Sequence, residues 1–208
     1  MFYHRVKRIF DISFSLVSIF LLFIPLLFIV IAIKLDSKGP VVFSQTRIGK
    51  DKKEFQILKF RTMKIDTPQN IPTNSLVNRN KWITRVGRVL RKTSLDELPQ
   101  IINVIKGDMS IIGPRPSLWN QYELINERDK FMVHSIYPGL TGYAQISGRD
   151  ELTINEKVEL DSYYVKNISL MLDIKIFFST FLYILKSEGN MENKKKESNA
   201  KDNKWKKF

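Results

Sequence analysis

From Ile12 to Ile33 the chain carries no charged residue for 22 positions, and after Leu16 only Ser18 and Pro25 interrupt the apolar run. As a straight helix such a segment would reach roughly 33 Å at about 1.5 Å per residue, enough to cross a bilayer. It outruns the ~7–15-residue apolar core of a secretory signal. The Lys34-Leu-Asp-Ser sequence after it offers no small-residue cleavage site, so the segment is expected to stay. Pro25 lies near its middle, where it removes a backbone hydrogen bond and crowds the preceding turn, which predicts a kink. Both flanks are basic: Arg5, Lys7 and Arg8 before, and Lys34, Lys38, Arg47, Lys50, Lys52 and Lys53 after. Lys/Arg-rich flanks favour the cytoplasmic side. A hairpin entering and leaving by one face satisfies both flanks, whereas a single-span anchor, the alternative, leaves one on the wrong side.

Without this segment and the stretch Lys186–Phe208, 163 residues remain, enough for one buried core and too few for two. The absence of cysteine excludes disulfides, thiolate zinc sites, iron–sulfur clusters and cysteine nucleophiles. With only His4 and His134, a histidine-rich metal cage is excluded as well. The net charge of +13 is only partly due to the last 23 residues, which hold eight basic and four acidic side chains. A polyanionic partner is expected: nucleic acid, an acidic membrane surface or a phosphorylated substrate.

The rest reads as α+β and helix-dominated. Val41–Arg61 has the pattern of a β-hairpin turning at Gly49–Lys53, and Asp66–Asn80 that of a polar loop. Trp82–Leu90 predicts an amphipathic helix whose basic face suits a membrane surface or a solvated face equally well. A second helix is expected from Ser94 to Lys106, ended by Gly107. Gly113–Pro116 and Tyr137–Gly148 read as irregular. Thr153-Ile-Asn-Glu156 is a capping box opening a helix to Val165. Leu170–Leu185 reads as a further apolar helix, in the core or at the interface. Beyond Lys186 the chain is charged and aperiodic, as expected of a disordered tail.

Three groups of residues can carry chemistry. Ser94-Leu95-Asp96-Glu97 is a capping box on the structural reading. On the chemical reading, the same turn presents Asp96 as a nucleophile or Mg²⁺ ligand, with Glu97 addressing the same phosphate from another side. Gly113-Pro114-Arg115-Pro116 fixes φ on either side of Arg115, so its guanidinium fork can grip phosphate with little entropy left to lose; otherwise it is a rigid turn. Lys59, Arg61, Arg85, Arg88, Arg91 and Lys92 form either the cationic surround that a carboxylate needs to attack an anionic diphosphate or a solvated basic face. Phosphate-binding and dinucleotide-binding glycine fingerprints are absent from the sequence. His134 reads as an ordinary, partly buried histidine, with a role as base the alternative.

The ordered series is more telling than any part. The proline-centred apolar segment is followed by Lys59-Phe60-Arg61-Thr62-Met63 and Arg91–Gln100, and then by Asn103–Ser110 and Gly113–Pro116. Pro138–Arg149 and Leu160–Val165 complete it. This series resembles the bacterial sugar transferase family of small monotopic phosphoglycosyl transferases, over about residues 1–186. The resemblance implies a re-entrant helix-break-helix at Pro25 (1–38), a catalytic domain with interfacial amphipathic helices around its active site (39–186), and a basic tail (187–208). It implies Asp96 as nucleophile with Glu97 beside it at a Mg²⁺ site, and Arg115 with Pro114 and Pro116 against the nucleotide sugar. Arg91, Lys59 and Arg149 match further basic positions of the family. Two features depart from the family pattern: Ile24 precedes the proline where serine is frequent, and Tyr143 and Asp150 replace tryptophan and asparagine.

The implied reaction moves a sugar 1-phosphate from a UDP-sugar to polyprenyl (undecaprenyl) phosphate. UMP leaves, and the reaction passes through a covalent aspartyl phosphosugar. This would be the first membrane step of bacterial glycan assembly, at the cytoplasmic face of the inner membrane, without nucleic acid as partner. Two alternatives stand beside it. One is a membrane-anchored basic module that binds nucleic acid or anionic lipid without catalysis. The other is a glycosyltransferase that releases nucleoside diphosphate.

Overall fold

A single helix, α1 (Phe2–Asp36), opens the computed structural model, which describes residues 2–68, 81–148 and 152–182. Pro25 lies inside α1, and the helical assignment runs through it. Only 6 % of the most apolar window of this helix is buried in the protein, so it is no core helix; it is long and apolar enough to cross a membrane. The two ends behave differently from the middle. Asp11 and Ser15 near the start and Ile33 near the end are buried, while Leu16, Val17, Phe20, Leu21, Phe23 and Ile24 are exposed.

Both ends are fastened to the same body. Arg8 donates to the carbonyls of Met109 (3.1 Å) and Ile105 (3.3 Å), and the Asp11 carboxylate accepts from Ser110 Oγ (2.7 Å). At the other end Ile33 packs with Phe60 and Leu90, and Asp36 accepts from Val86 N (3.0 Å). Arg61 donates to the carbonyls of Ser37 (2.6 Å) and Lys38 (2.9 Å) just past the helix, where carbonyls lack intrahelical partners.

The expected hairpin is present as β1 (Val42–Ile48) and β2 (Glu54–Phe60), antiparallel with Phe43 opposite Lys59. Its outer edge is closed by a side chain that imitates a strand. The Asn103 amide accepts from Leu58 N (2.9 Å) and donates to Gln56 O (2.8 Å), tying β2 to helix α3 (Gln100–Lys106). A buried edge left without such partners would carry unsatisfied backbone groups.

Helix α2 (Arg85–Thr93) starts three residues later than the sequence pattern predicts. Thr84 caps it by accepting from Gly87 N (2.9 Å), which leaves Trp82 and Ile83 outside the helix, with Ile83 bridged to Met63. A Cβ on Gly87 would stand 2.1 Å from Thr62 O, so only glycine lets α2 lie this close to the segment after β2. The expected Ser94–Lys106 helix is divided. Ser94 is left-handed (φ 58°) and makes no side-chain cap, Leu95–Glu97 forms one 3₁₀ turn, and α3 begins only after Pro99. The capping-box reading of Ser94 and Glu97 is therefore overturned. Gly107 ends α3 in the left-handed region (φ 97°), as expected.

Tyr137–Gly148 is more regular than its composition implies. It holds β4 (Gly139–Thr141), parallel to β3 (Ser110–Ile112), and the short helix α5 (Tyr143–Ser147). Helix α4 (Tyr122–Asp129), which the sequence reading passes over, precedes them. Helix α6 (Ile154–Lys166) opens with the expected capping box at Thr153 and Glu156. Helix α7 (170–182) puts Ile176 into the core beside Val104, Met109, Ile112 and Tyr164, while Leu170, Met171, Phe178 and Phe181 stay exposed. The expected loop over 69–80, the last three residues expected in the final helix, and the tail lie outside the described residues.

Candidate active site

The break at Ser94 is what builds the site. A continuous helix would carry Asp96 and Glu97 past the hairpin; the left-handed residue and the 3₁₀ turn fold them back against β2 instead. Glu97 accepts from Lys59 Nζ at 2.7 Å and from Arg115 Nη2 at 2.8 Å. Lys59 comes from β2, and Arg115 is the exposed member of Pro114-Arg115-Pro116, whose prolines are both buried. Glu97 thus gathers residues separated by 38 and 18 positions in the chain. Asp96 is buried, and among the described residues its carboxylate accepts no hydrogen bond and joins no ion pair.

The two neighbouring carboxyls are driven in opposite directions. Burial, and then the Glu97 charge beside it, raise the Asp96 carboxyl above its ordinary value against the pull of Lys59, Arg91 and Arg115. Burial alone would raise Glu97 too, but Arg115 and Lys59 outweigh it and hold that carboxyl well below its ordinary value. Lys59 is lowered by its own burial, opposed mainly by Glu97.

Arg91 turns inward from α2, with Nε donating to Thr62 Oγ1 (2.9 Å) and Nη2 directed at Met63 Sδ (3.6 Å). Arg85, Arg88 and Lys92 lie on the exposed face of α2. The basic cluster of the sequence is therefore split: Lys59 and Arg91 join the site, Arg61 fastens the end of α1, and the others face outward. A cavity of about 300 Å³ opens in front of Asp96, lined also by Lys59, Thr62, Arg91 and Arg47. Arg47, which the sequence reading counted only as a basic flank, donates to Pro116 O (3.1 Å) and Gln45 Oε1 (2.8 Å). Burial, and then the nearby Arg115 charge, lower its guanidinium to about 10.

His134 pairs with Asp129 (2.8 Å), on the far side of α4, and takes no part in the cleft. Pro25 lies in α1, away from the carboxylates in sequence and environment. Arg149 and Asp150 lie outside the described residues.

The donor set suits a hard divalent cation. Among the described residues no group of three or more His, Cys, Asp or Glu side chains converges to cage a metal. Mg²⁺ characteristically takes one or two carboxylates and draws its remaining oxygens from water and substrate phosphate. Asp96, with both oxygens unengaged, and Glu97 next to it meet that requirement.

Comparison with known proteins identifies relatives over most of the chain. The family model described as bacterial sugar transferase matches residues 2–187. A Bacillus subtilis protein named uncharacterized sugar transferase EpsL is 40 % identical over 184 residues, covering 88 % of this chain and 89 % of its own length. The UDP-glucose:undecaprenyl-phosphate glucose-1-phosphate transferase of Escherichia coli is 43 % identical over 183 residues, 84 % of this chain. The UDP-N-acetylgalactosamine-undecaprenyl-phosphate N-acetylgalactosaminephosphotransferase of Aeromonas hydrophila is 40 % identical over 194 residues, 90 % of this chain. The chain spans less than half the length of these last two relatives, 39 % and 45 %. With the match running from α1 through the carboxylate turn to the end of the described fold, the chain belongs to the bacterial sugar transferase family and is an enzyme of the transferase class.

Proposed function

We propose that the protein transfers a sugar 1-phosphate from a UDP-sugar to undecaprenyl phosphate, releasing UMP. The observation that carries this reading is the contrast between Asp96 and Glu97 inside a cationic cleft. Among the described residues Asp96 takes no hydrogen bond or ion pair, whereas Glu97 holds two cations in place. In this reading an Asp96 oxygen attacks the phosphorus that bears the sugar. The bond from that phosphorus to the bridging oxygen breaks, UMP leaves, and the phosphosugar stays on Asp96. An oxygen of undecaprenyl phosphate then attacks the same phosphorus and restores the Asp96 carboxylate. Lys59, Arg91 and Arg115 offset the repulsion between the anionic nucleophile and the diphosphate. Mg²⁺, held by Asp96 and Glu97, would add Lewis-acid neutralisation of the phosphate oxygens. The names of the Escherichia coli and Aeromonas relatives support the donor and acceptor classes.

The acceptor cannot leave the bilayer, so the site must reach the bilayer surface. We infer that α1, helical through Pro25 in the structure, bends there in the membrane so that it enters and leaves by the cytoplasmic face. Three features support this: both ends of α1 dock on one domain, most of the large apolar side chains of its middle are exposed, and both flanks are basic. The exposed apolar face of α7 and the basic face of α2 suit the interface beside it. The reading of a basic module without catalysis draws no support from the relatives.

The test is incubation of detergent-solubilised protein with Mg²⁺, undecaprenyl phosphate and a panel of UDP-sugars, with UMP and UDP quantified separately. Wild type should release UMP with one sugar preferred. Without acceptor, its intact mass should rise by one phosphosugar, located on Asp96. Asp96→Asn should lose at least about 10³-fold in turnover while its unfolding midpoint stays put. UDP in place of UMP, or UMP release by Asp96→Asn, would overturn the mechanism.

A further inference from the structure

The stretch Pro114-Arg115-Pro116 has three backbone carbonyls and a single N–H, because proline donates nothing. All three carbonyls are nevertheless taken. Gly139 N donates to Pro114 O (2.9 Å), Arg128 Nη1 to Arg115 O (2.8 Å) and Arg47 Nη1 to Pro116 O (3.1 Å). Two of the three donors are guanidinium groups reaching in from β1 and α4.

Arg128 is the more telling of the two. It is 4 % exposed, and its other donors, Nε and Nη2, both go to Asp161 Oδ2 on α6, at 3.0 and 2.6 Å. Among the described residues the Asp161 carboxylate has no other partner, and its Oδ1 is buried without one. A buried ion pair is a costly way to satisfy one carbonyl, since the desolvation of both charges offsets much of their attraction. A plain turn would use water or an N–H. What the pair does achieve is to fix the backbone of the one residue in this stretch whose side chain reaches Glu97. Arg115 is otherwise on the surface, with nearly half of its side chain exposed. Glu97 holds the tip of its guanidinium at 2.8 Å, and its backbone sets the point from which the side chain reaches that carboxylate.

We propose that Arg128 and Asp161 are positioning residues for Arg115: the pair, with Arg47 gripping the next carbonyl, sets where the Arg115 guanidinium stands for the incoming diphosphate. This rests on the proposed reaction. A guanidinium misplaced by about 1 Å can cost up to roughly 10²-fold in rate, so a change at Arg128 should be felt although it touches no substrate.

The experiment is a double-mutant cycle on UMP release, read as kcat/KM for the preferred UDP-sugar, with unfolding midpoints measured alongside. Arg128→Lys keeps the charge and loses the fork. It should lower kcat/KM roughly 10-fold or more in the wild-type background, mostly through KM. In the Arg115→Ala background the same change should cost less than about twofold, because the group it positions is gone. Val158→Ala, a buried change on the same α6, serves as the control for loss of stability alone. Equal factors in both backgrounds, or an effect that merely follows the midpoint as Val158→Ala does, would overturn the proposal. Should Arg128→Lys fail to fold, Arg47→Lys tests the neighbouring carbonyl with the same expected coupling to Arg115. If wild type releases no UMP from any UDP-sugar, the proposed reaction falls and this role with it; wild-type release with uncoupled variants sinks the positioning role alone.

Discussion

Two clusters of charge, one at the start of α1 and one in the cleft, are built on different terms. Where α1 begins, Asp173 accepts from Tyr3 (2.6 Å), Lys7 (2.7 Å) and Tyr164 (2.6 Å), while Asp11 accepts from Ser110 Oγ and Ile111 N. Every carboxylate oxygen there is answered from within the protein. In the cleft, Lys59, Arg91, Arg115 and Arg47 surround two carboxylates, and one of these, Asp96, is answered by nothing among the described residues. The first cluster is closed and holds the fold together. Among the described residues, the second gathers four cations round two carboxylates and leaves the oxygen pair of Asp96 without a hydrogen bond. A closed network is evidence of structure; an open one is where chemistry should be sought.

The contrast can be broken most forcefully at its closed end. Asp173→Ala would strip three donors of their acceptor and leave the partly buried Lys7 with only the Asp11 charge nearby, at a cost of roughly 3 kcal/mol. A lower unfolding midpoint in detergent should appear, with kcat per folded molecule unchanged; an unchanged midpoint would show that the closed cluster does not hold α1. At the open end, Arg115→Ala should leave stability nearly untouched and move the pH profile. On the proposed mechanism activity needs Asp96 ionised and is lost as pH falls through its carboxyl, which lies above the ordinary value of 3.8. Removing a cation that lowers both carboxyls should carry this acid limb to higher pH, and an unmoved limb would detach Arg115 from the pair. The smallest effect is expected on the outer face of α2. Arg88→Gln should change stability by no more than about 0.5 kcal/mol and leave KM for the nucleotide sugar where it was. A raised KM would mean that the cleft extends over that face.

What could be read from the sequence was local. The hairpin follows from alternation on either side of a turn, and the α6 capping box uses residues three apart. At Ser94 the same local rule failed, because Glu97 has two distant cations to choose over a neighbouring N–H, and a charge-assisted pair outweighs a cap. Strands β3 and β4 are three residues each, too short to show a period, and α4 lacks an apolar stripe, burying only Leu124 and Arg128. The carboxylate turn and Arg115 were legible because their motifs stand in a fixed order. The Arg128–Asp161 pair was not, since a lone arginine in a polar helix looks like any surface residue until the fold brings its partner 33 positions away.

The fastening of α1 has a consequence for biosynthesis. Asp11 finds Ser110 across 99 positions, and Lys7 finds Asp173 across 166. At roughly 5–20 residues per second, on the order of ten to thirty seconds separate the emergence of Lys7 from that of its partner. On the proposed topology the apolar stretch commits to the bilayer on its own, and the rest of the chain assembles afterwards onto a helix already in place. A ribosome that stalls before α7 would leave an inserted but unlatched protein, recognisable by an accessible Lys7, as a natural substrate for quality control.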